Sequence, residues 1–294
     1  MSKILISGGT GFVGQHLKKL LENSGYGVSI LTRTPKKDNE FYWNIGEKKI
    51  DKSAFSDVTH IIHLAGAGIA DKRWTKKRKK EIIDSRVSSA NLLFEYVQKL
   101  NLKLKGFISA SGIGFYGAHT SDTIFTEEDK PYNDFIANVC VVWENAAKQF
   151  EKLNIPVTIL RTSIVLSKNG GALAKINTPL FLAILGNGKQ HFPWIHIDDL
   201  CNIYLEAIKS QKLSGIYNCN TSNFQTNASF TEILSEVTGK ILFPMRVPPV
   251  ILQIILGELS GILLSGSKVS SKKLESVYTL KFASLKRALE DLLK

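Results

Sequence analysis

Apolar positions along the chain follow two rhythms. Short runs rich in Ile, Leu and Val recur at Lys3–Ser7, Gly27–Thr32, 59–64, 105–110 and 157–160, and between them Phe12–Asn23, 85–100 and 138–153 carry apolar residues at helical spacing. Runs without polar alternation are strands covered on both faces, and parallel strands need crossovers that are usually helices. The pattern predicts an α/β protein with a doubly wound parallel Rossmann sheet. After Arg161 the rhythm breaks at Gly170, Gly171, Gly186, Gly188, Pro193, Pro244, Pro248 and Pro249. The expected division is therefore a nucleotide-binding domain over 1–165 and a smaller domain mainly over 166–294. A strand-like piece at 215–218 can return to the main sheet, so the first domain is expected to be rejoined by about 195–220 and the second to be discontinuous.

The first run leads directly into Gly8-Gly9-Thr10-Gly11-Phe12-Val13-Gly14, a GxxGxxG series that opens the first helix. Glycine is demanded here by a tight turn, by close approach of backbone to a pyrophosphate, and by contact of helix with strand without a Cβ between them. Free N–H groups at the helix start then face the phosphates, which makes Gly8, Thr10, Gly11, Phe12, Val13 and Gly14 candidate cofactor contacts. The second strand ends at Arg33, where an NAD site would place a carboxylate for the ribose hydroxyls. A guanidinium there suits the 2′-phosphate of NADP, with Lys36 and Lys37 adding positive potential. A solvated basic loop is the plainer reading of the same residues.

The glycine series, His63-Leu64-Ala65-Gly66-Ala67, Ser109-Ala110-Ser111, Tyr116-Gly117 and Trp194-Ile195-His196-Ile197-Asp198-Asp199 together resemble the extended short-chain dehydrogenase/reductase family. Arg73-Trp74, Asp84-Ser85-Arg86, Val142-Trp143-Glu144, Gly170-Gly171-Ala172-Leu173 and Leu256-Gly257-Glu258 are similar to its atypical branch of nucleoside-diphosphate-sugar epimerase-like proteins. The resemblance implies an NADP-binding domain and a substrate cleft between the domains. Leu64, Ala65 and Gly66 would pass the adenosine, Ser109 and Arg161 would lie along the cofactor, Ser111 would bind the reacting oxygen, and Tyr116 would shape the pocket. Arg161 reads equally well as a salt-bridge partner at a strand end.

One departure matters. Typical members of that family carry a Tyr-x-x-x-Lys pair on a following helix, and this chain has Cys140 and Glu144 instead. A carboxylate where an ammonium belongs raises the pKa of a neighbouring acid, which opposes base catalysis there. Glu144 with Lys148 reads as an i, i+4 surface pair, and Cys140 as a small buried hydrophobe. The functional expectation is an NADP-dependent oxidoreductase or epimerase acting on a nucleotide-linked sugar or similar anionic carbonyl compound. Its alternative is an NADP(H)-binding sensor or scaffold with little catalysis.

The chain has 294 residues, 44% of them hydrophobic, and a net charge of +12, which favours anionic partners. Lys72-Arg73-Trp74-Thr75-Lys76-Lys77-Arg78-Lys79-Lys80 suits an anionic substrate, a solvated helix face or, least of the three, nucleic acid. Three cysteines without CxxC spacing point to a reducing cytosol and to no metal site. Asp198 or Asp199 is expected to cap a helix starting at Leu200, with His196 structural. The start of the chain lacks a signal-peptide pattern, and the apolar stretch 250–264 is too interrupted to span a bilayer. A cytoplasmic enzyme without membrane or nucleic-acid partners, free of metal and assembled as a homodimer, is the resulting expectation.

Overall fold

The computed structural model describes residues 2–210 and 213–294. Its main sheet contains β1 (Lys3–Ser7), β2 (Gly27–Thr32), β3 (Glu40–Asn44), β4 (Lys49–Ile50), β5 (Val58–His63), β6 (Gly106–Gly112), β7 (Val157–Thr162) and β8 (Gly215–Cys219). Their spatial order is β8-β7-β6-β5-β1-β2-β3-β4, with every neighbour parallel except β3 and β4. The chain passes from β1 outward through β2 and then restarts on the other side of β1 with β5. That reversal opens a crevice at the carboxyl ends of β1 and β5.

The labelled helices are α1 (Phe12–Asn23), α2 (Lys76–Lys99), α3 (Phe135–Lys148), α4 (Ile197–Lys209), α5 (Asn227–Thr238), α6 (Pro249–Leu256) and α7 (Leu285–Leu293). Successive side chains of each strand point to opposite faces, which explains the unbroken apolar runs. Ile4, Ile6, Ile62, Ile108 and Leu160 join one core with Leu17 and Leu21 of α1 and Leu200 and Tyr204 of α4. Leu5, Ile61, Phe107 and Ile159 join the other with Leu92 and Leu93 of α2 and Ala147 of α3.

Sequence and structure differ at several boundaries. β3 contributes a strand outside the apolar runs, a short aromatic segment pairing with β2 through Leu31 and Phe41. α2 starts at Lys76, earlier than its apolar periodicity suggests, because the Thr75 hydroxyl accepts from Arg78 N at 3.1 Å and caps it. α4 begins at Ile197, and its cap is His196, whose Nδ1 accepts from Asp198 N at 3.1 Å. Asp198 and Asp199 therefore lie inside the helix and cap nothing. Asp198 accepts from His16 of α1 at 2.7 Å, and buried Asp199 accepts from the backbone N–H groups of Lys281 and Phe282 at 2.8 and 2.9 Å, anchoring the segment before α7. The 250–264 stretch is divided: α6 ends at Gly257, whose φ of +62° no side-chain-bearing residue adopts cheaply, and a shorter helix covers Gly261–Leu264. β8 pairs parallel with β7, Tyr217 opposite Leu160, so the chain does return to the main sheet.

His63 ties β1, β5 and α2 together. Ser7 Oγ lies 2.6 Å from its Nδ1 and Ser89 Oγ 3.2 Å from its Nε2. The Ser89 hydroxyl donates to its own helix backbone, so Nε2 donates to Ser89 and Nδ1 accepts from Ser7. Burial lowers the His63 pKa to about 4, below the 6.5 of a free imidazole. Between those values the unfolded chain binds the extra proton, so stability must fall as pH drops through that window and level off below it. Urea unfolding of the wild type is expected to lose about 3 kcal/mol from this group between neutral and acid pH. A His63→Asn variant is expected to show a shallower pH dependence.

Candidate functional site

The glycine loop is shaped by contacts too close for a Cβ. Gly8 has φ +77°, and a Cβ there would stand 2.8 Å from Ala65 N; on Gly14 it would stand 2.4 Å from Gly8 O. Gly11 occupies the cap of α1 without a side chain to bond the first-turn amides, and that turn has no acidic residue. The helix start is thus left open to an anion.

A cavity of about 1000 Å³ opens over this loop at the crevice between β1 and β5. Gly8, Thr10, Gly11, Arg33, Leu64, Ala65 and Gly66 lie on its wall, together with Lys36. The remaining cofactor candidates lie off it. Phe12 abuts Gly170 and Gly171, Val13 packs against the core, Gly14 is buried in the helix-strand contact, and Ser109 is buried with its hydroxyl donating to Ala110 O. Arg161 is also buried elsewhere, as described below. Arg33 is exposed and pairs with no side chain among the described residues. The backbone N–H of Lys36 donates to Glu40 Oε2 at 2.8 Å, which holds the loop behind Arg33.

Residues of α2 complete the wall in a way that periodicity did not reveal. Arg78 and Arg86 occupy buried helix positions eight residues apart, among Ile82, Ser89 and Ala90. Arg86 Nη1 donates to Ala67 O at 3.0 Å, Arg78 donates to Gly68 O, and Ala67 N donates to Ser85 Oγ at 2.9 Å. These bonds brace the loop after β5. Burial lowers the Arg86 pKa to about 10, so it remains charged at neutral pH. The basic run is consequently no uniform solvated face: Arg78 faces inward, Lys79 pairs with Glu258 and Lys80 with Asp84, while Lys72, Arg73, Lys76 and Lys77 stay exposed.

At the ends of β6 and β7 lies a second constellation. Arg161 and Glu144, 2% and 3% exposed, form a bidentate ion pair, Nε to Oε1 at 2.8 Å and Nη2 to Oε2 at 2.9 Å. Ser111 Oγ donates to the same Oε1 at 2.8 Å. Arg161 Nη1 donates to the Tyr116 hydroxyl at 3.0 Å, and that hydroxyl donates to Asn218 Oδ1 at 2.8 Å. The guanidinium also stacks 3.4 Å from the Phe115 ring centroid.

This geometry corrects the surface pairing of Glu144 with Lys148 and removes Arg161 from the strand-end surface. Two helical turns cannot show which strand faces a carboxylate, so the partner from β7 was invisible in the spacing. Tyr116 is fully buried rather than lining an open pocket, and burial raises its pKa to about 12. Cys140 donates to Gly112 O at 3.4 Å, and burial, then the Glu144 charge, push its thiol up to about 12. Both groups therefore hold their protons at neutral pH. Asn218 of β8, absent from the sequence candidates, is the far end of the network. No cluster of three metal-ligating side chains occurs among the described residues.

A switch-point crevice over a glycine loop defines a dinucleotide-binding α/β protein of the extended short-chain dehydrogenase/reductase type. Residues 4–219 match the NAD dependent epimerase/dehydratase family, and the chain belongs to it. An epimerase family protein of Staphylococcus saprophyticus is 35% identical over 301 residues, covering 99% of both chains. One from Staphylococcus aureus is 33% identical over 303 residues, covering all of both. Among solved structures, a human epimerase family protein with NADPH superimposes with a TM-score of 0.84 at 26% identity, covering 99% of this chain and 98% of that one. A nucleoside-diphosphate sugar epimerase of Corynebacterium glutamicum gives 0.81 at 28% identity, covering 99% of this chain and 58% of that one.

Two outcomes test the geometry. Gly14→Ala forces backbone apart at the Gly8 carbonyl and is expected to weaken dinucleotide binding, measured by calorimetry, more than Gly25→Ala lowers it at a remote turn. Arg161→Met leaves Glu144 buried and unpaired and is expected to cost about 3–5 kcal/mol in urea unfolding, most of it recovered by adding Glu144→Leu.

Proposed function

We propose that the protein is an NADP(H)-dependent oxidoreductase or epimerase acting on a small anionic compound with a hydroxyl or carbonyl at the reacting carbon, a nucleotide-linked sugar being one such compound. The observation that carries the choice of NADP is Arg33, unpaired among the described residues, on the wall of the glycine-loop cavity. Gly8, Thr10 and Gly11 would hold the diphosphate, Leu64 to Gly66 the adenosine side, and Arg33 the 2′-phosphate. The cradle fits such a group, because added Cβ atoms at Gly8 and Gly14 would collide with backbone. When bound, the coenzyme supplies a hydride acceptor or donor. The exposed cations at Lys72, Arg73, Lys76 and Lys77 favour an anionic substrate.

Ser111 has a polarity imposed by its neighbour. Both Glu144 oxygens accept from the Arg161 guanidinium, and the single Ser111 proton is committed to Oε1. What Ser111 offers a substrate is a lone pair. It is suited to accept from a substrate hydroxyl, and a carbonyl oxygen gains no bond from it in this arrangement. Neither Tyr116 nor Cys140 is a base at neutral pH. The second reading, a coenzyme-holding sensor with little turnover, draws on that same observation, since the position of the usual lysine is taken by a neutralised carboxylate. Three buried free thiols suit a reducing cytosol.

Calorimetric titration is expected to show tighter binding of NADPH than NADH, with Arg33→Ala weakening NADPH by about 10- to 100-fold and NADH little. Equal affinities would remove the NADP reading. Absorbance near 340 nm would then be followed on presenting nucleotide sugars and small carbonyl compounds. Turnover lost in Ser111→Ala supports the enzyme; tight binding with a silent panel supports the sensor.

A further inference from the structure

The segments 170–193 and 239–257 meet at one corner of the molecule. Phe181 and Leu182 pair in parallel with Ile241 and Leu242, Gly186 N donates to Val247 O at 2.9 Å, and the Phe181 and Phe243 rings lie 5.6 Å apart. α6 continues directly from this corner with the sequence PVILQIIL and has no buried residue. Val250, Ile251, Ile254 and Ile255 share one helical face, and all four are exposed. Ile241 is 72% exposed and Ile254 69%, values expected of lysines rather than isoleucines. Apolar area of this extent on a surface marks a contact site.

The charge around that area is one-sided. The two segments hold Lys175, Lys189, Lys240 and Arg246 and no aspartate or glutamate. Lys240 Nζ donates to Asn177 Oδ1 and Thr178 O, and Arg246 Nη1 donates to Asn187 O, so both cations rest on neutral groups rather than on carboxylates. The nearest carboxylate in sequence, Glu258, is taken by Lys79. A second copy seated symmetrically on this face would bring like charges together. An apolar helix face rimmed by cations has the opposite preference, for an anionic lipid surface.

We infer that this face docks on the surface of an anionic bilayer, α6 lying in the interface with Ile254 and Ile255 inserted and Arg246, Lys240, Lys175 and Lys189 among the headgroups. Docking differs from spanning: no helix of the described residues is long and apolar enough to cross a membrane. The expectation of no membrane partner rests on the lack of a spanning segment, which does not bear on surface docking. The proposal does not depend on the coenzyme reading.

The test is cosedimentation of the full chain with vesicles of phosphatidylcholine alone, and of phosphatidylcholine with about one part in four phosphatidylglycerol. Binding is expected to the anionic vesicles only and to weaken with salt. Replacing both isoleucines (Ile254→Ser, Ile255→Ser) is expected to weaken it by about tenfold or more, and Arg246→Gln by about fivefold. Circular dichroism and thermal unfolding should match the wild type, because these side chains are exposed. The proposal is overturned by absent binding to anionic vesicles at low salt, by equal binding to neutral ones, or by retention of full binding in the serine variant, which would mean adsorption of a cationic protein without insertion. It is equally overturned if sedimentation equilibrium shows a dimer that the serine substitutions dissociate and vesicles leave intact.

Discussion

The approach of α1 to the end of β1 is the constraint on which the site depends. With 2.4 Å between Gly8 O and the place where a Gly14 Cβ would sit, helix and turn touch backbone to backbone. That contact aims the open amide end of α1 along the crevice, and it sets the distance from the glycine loop to Leu64, Ala65 and Gly66, which follow β5. Gly66 itself faces the Arg86 guanidinium, 2.9 Å from a would-be Cβ. The cavity is therefore bounded by two places where a methyl group has no room. At the start of α1 neither a capping side chain nor an acidic residue competes for the helix N–H groups.

The ends of β6 and β7 are organised by burial of charge. A bidentate pair with 2% and 3% exposure is costly to desolvate, and it holds only because Ser111, Tyr116 and Phe115 satisfy or stack the remaining faces of Glu144 and Arg161. The cost is accompanied by order: one carboxylate fixes a hydroxyl, one guanidinium fixes a phenol, and Asn218 binds that phenol to β8. Because Asn218 Nδ2 also donates to Ser270 O at 3.2 Å, the network reaches from the dinucleotide-binding sheet into the carboxy-terminal segment. A ligand that touches Ser111 thus meets a group whose orientation is set from both parts of the chain.

The features legible in sequence are those that depend on neighbours in the chain. Strand runs, the glycine series and Arg33 are local patterns with local physical reasons, and their placement follows from them. Glu144 and Arg161 could not be paired from spacing, since 17 residues and a change of element separate them. His196 took the cap from two better-suited aspartates because β-structure continues to the residue before α4, leaving Asp198 and Asp199 already within the helix. Arg78 and Arg86 were hidden for a related reason. Arginine is counted as polar in a periodicity, yet here its stem is buried and its head is spent on loop carbonyls.

The carboxy-terminal segment adds a physical link between surface and crevice. Glu258 follows α6 by two residues and pairs with Lys79 of α2, while Gly257 lies against Arg73, 3.0 Å from a would-be Cβ to Nη2. The exposed apolar helix is thereby joined to the same basic segment that borders the cavity through Arg78 and Asp71. The end of α6 and the segment at the crevice mouth thus meet at the Lys79–Glu258 pair and at Arg73 against Gly257. A charged substrate and an apolar contact face would in that arrangement be served by neighbouring parts of one continuous surface, the cations between them attracting phosphate from either side.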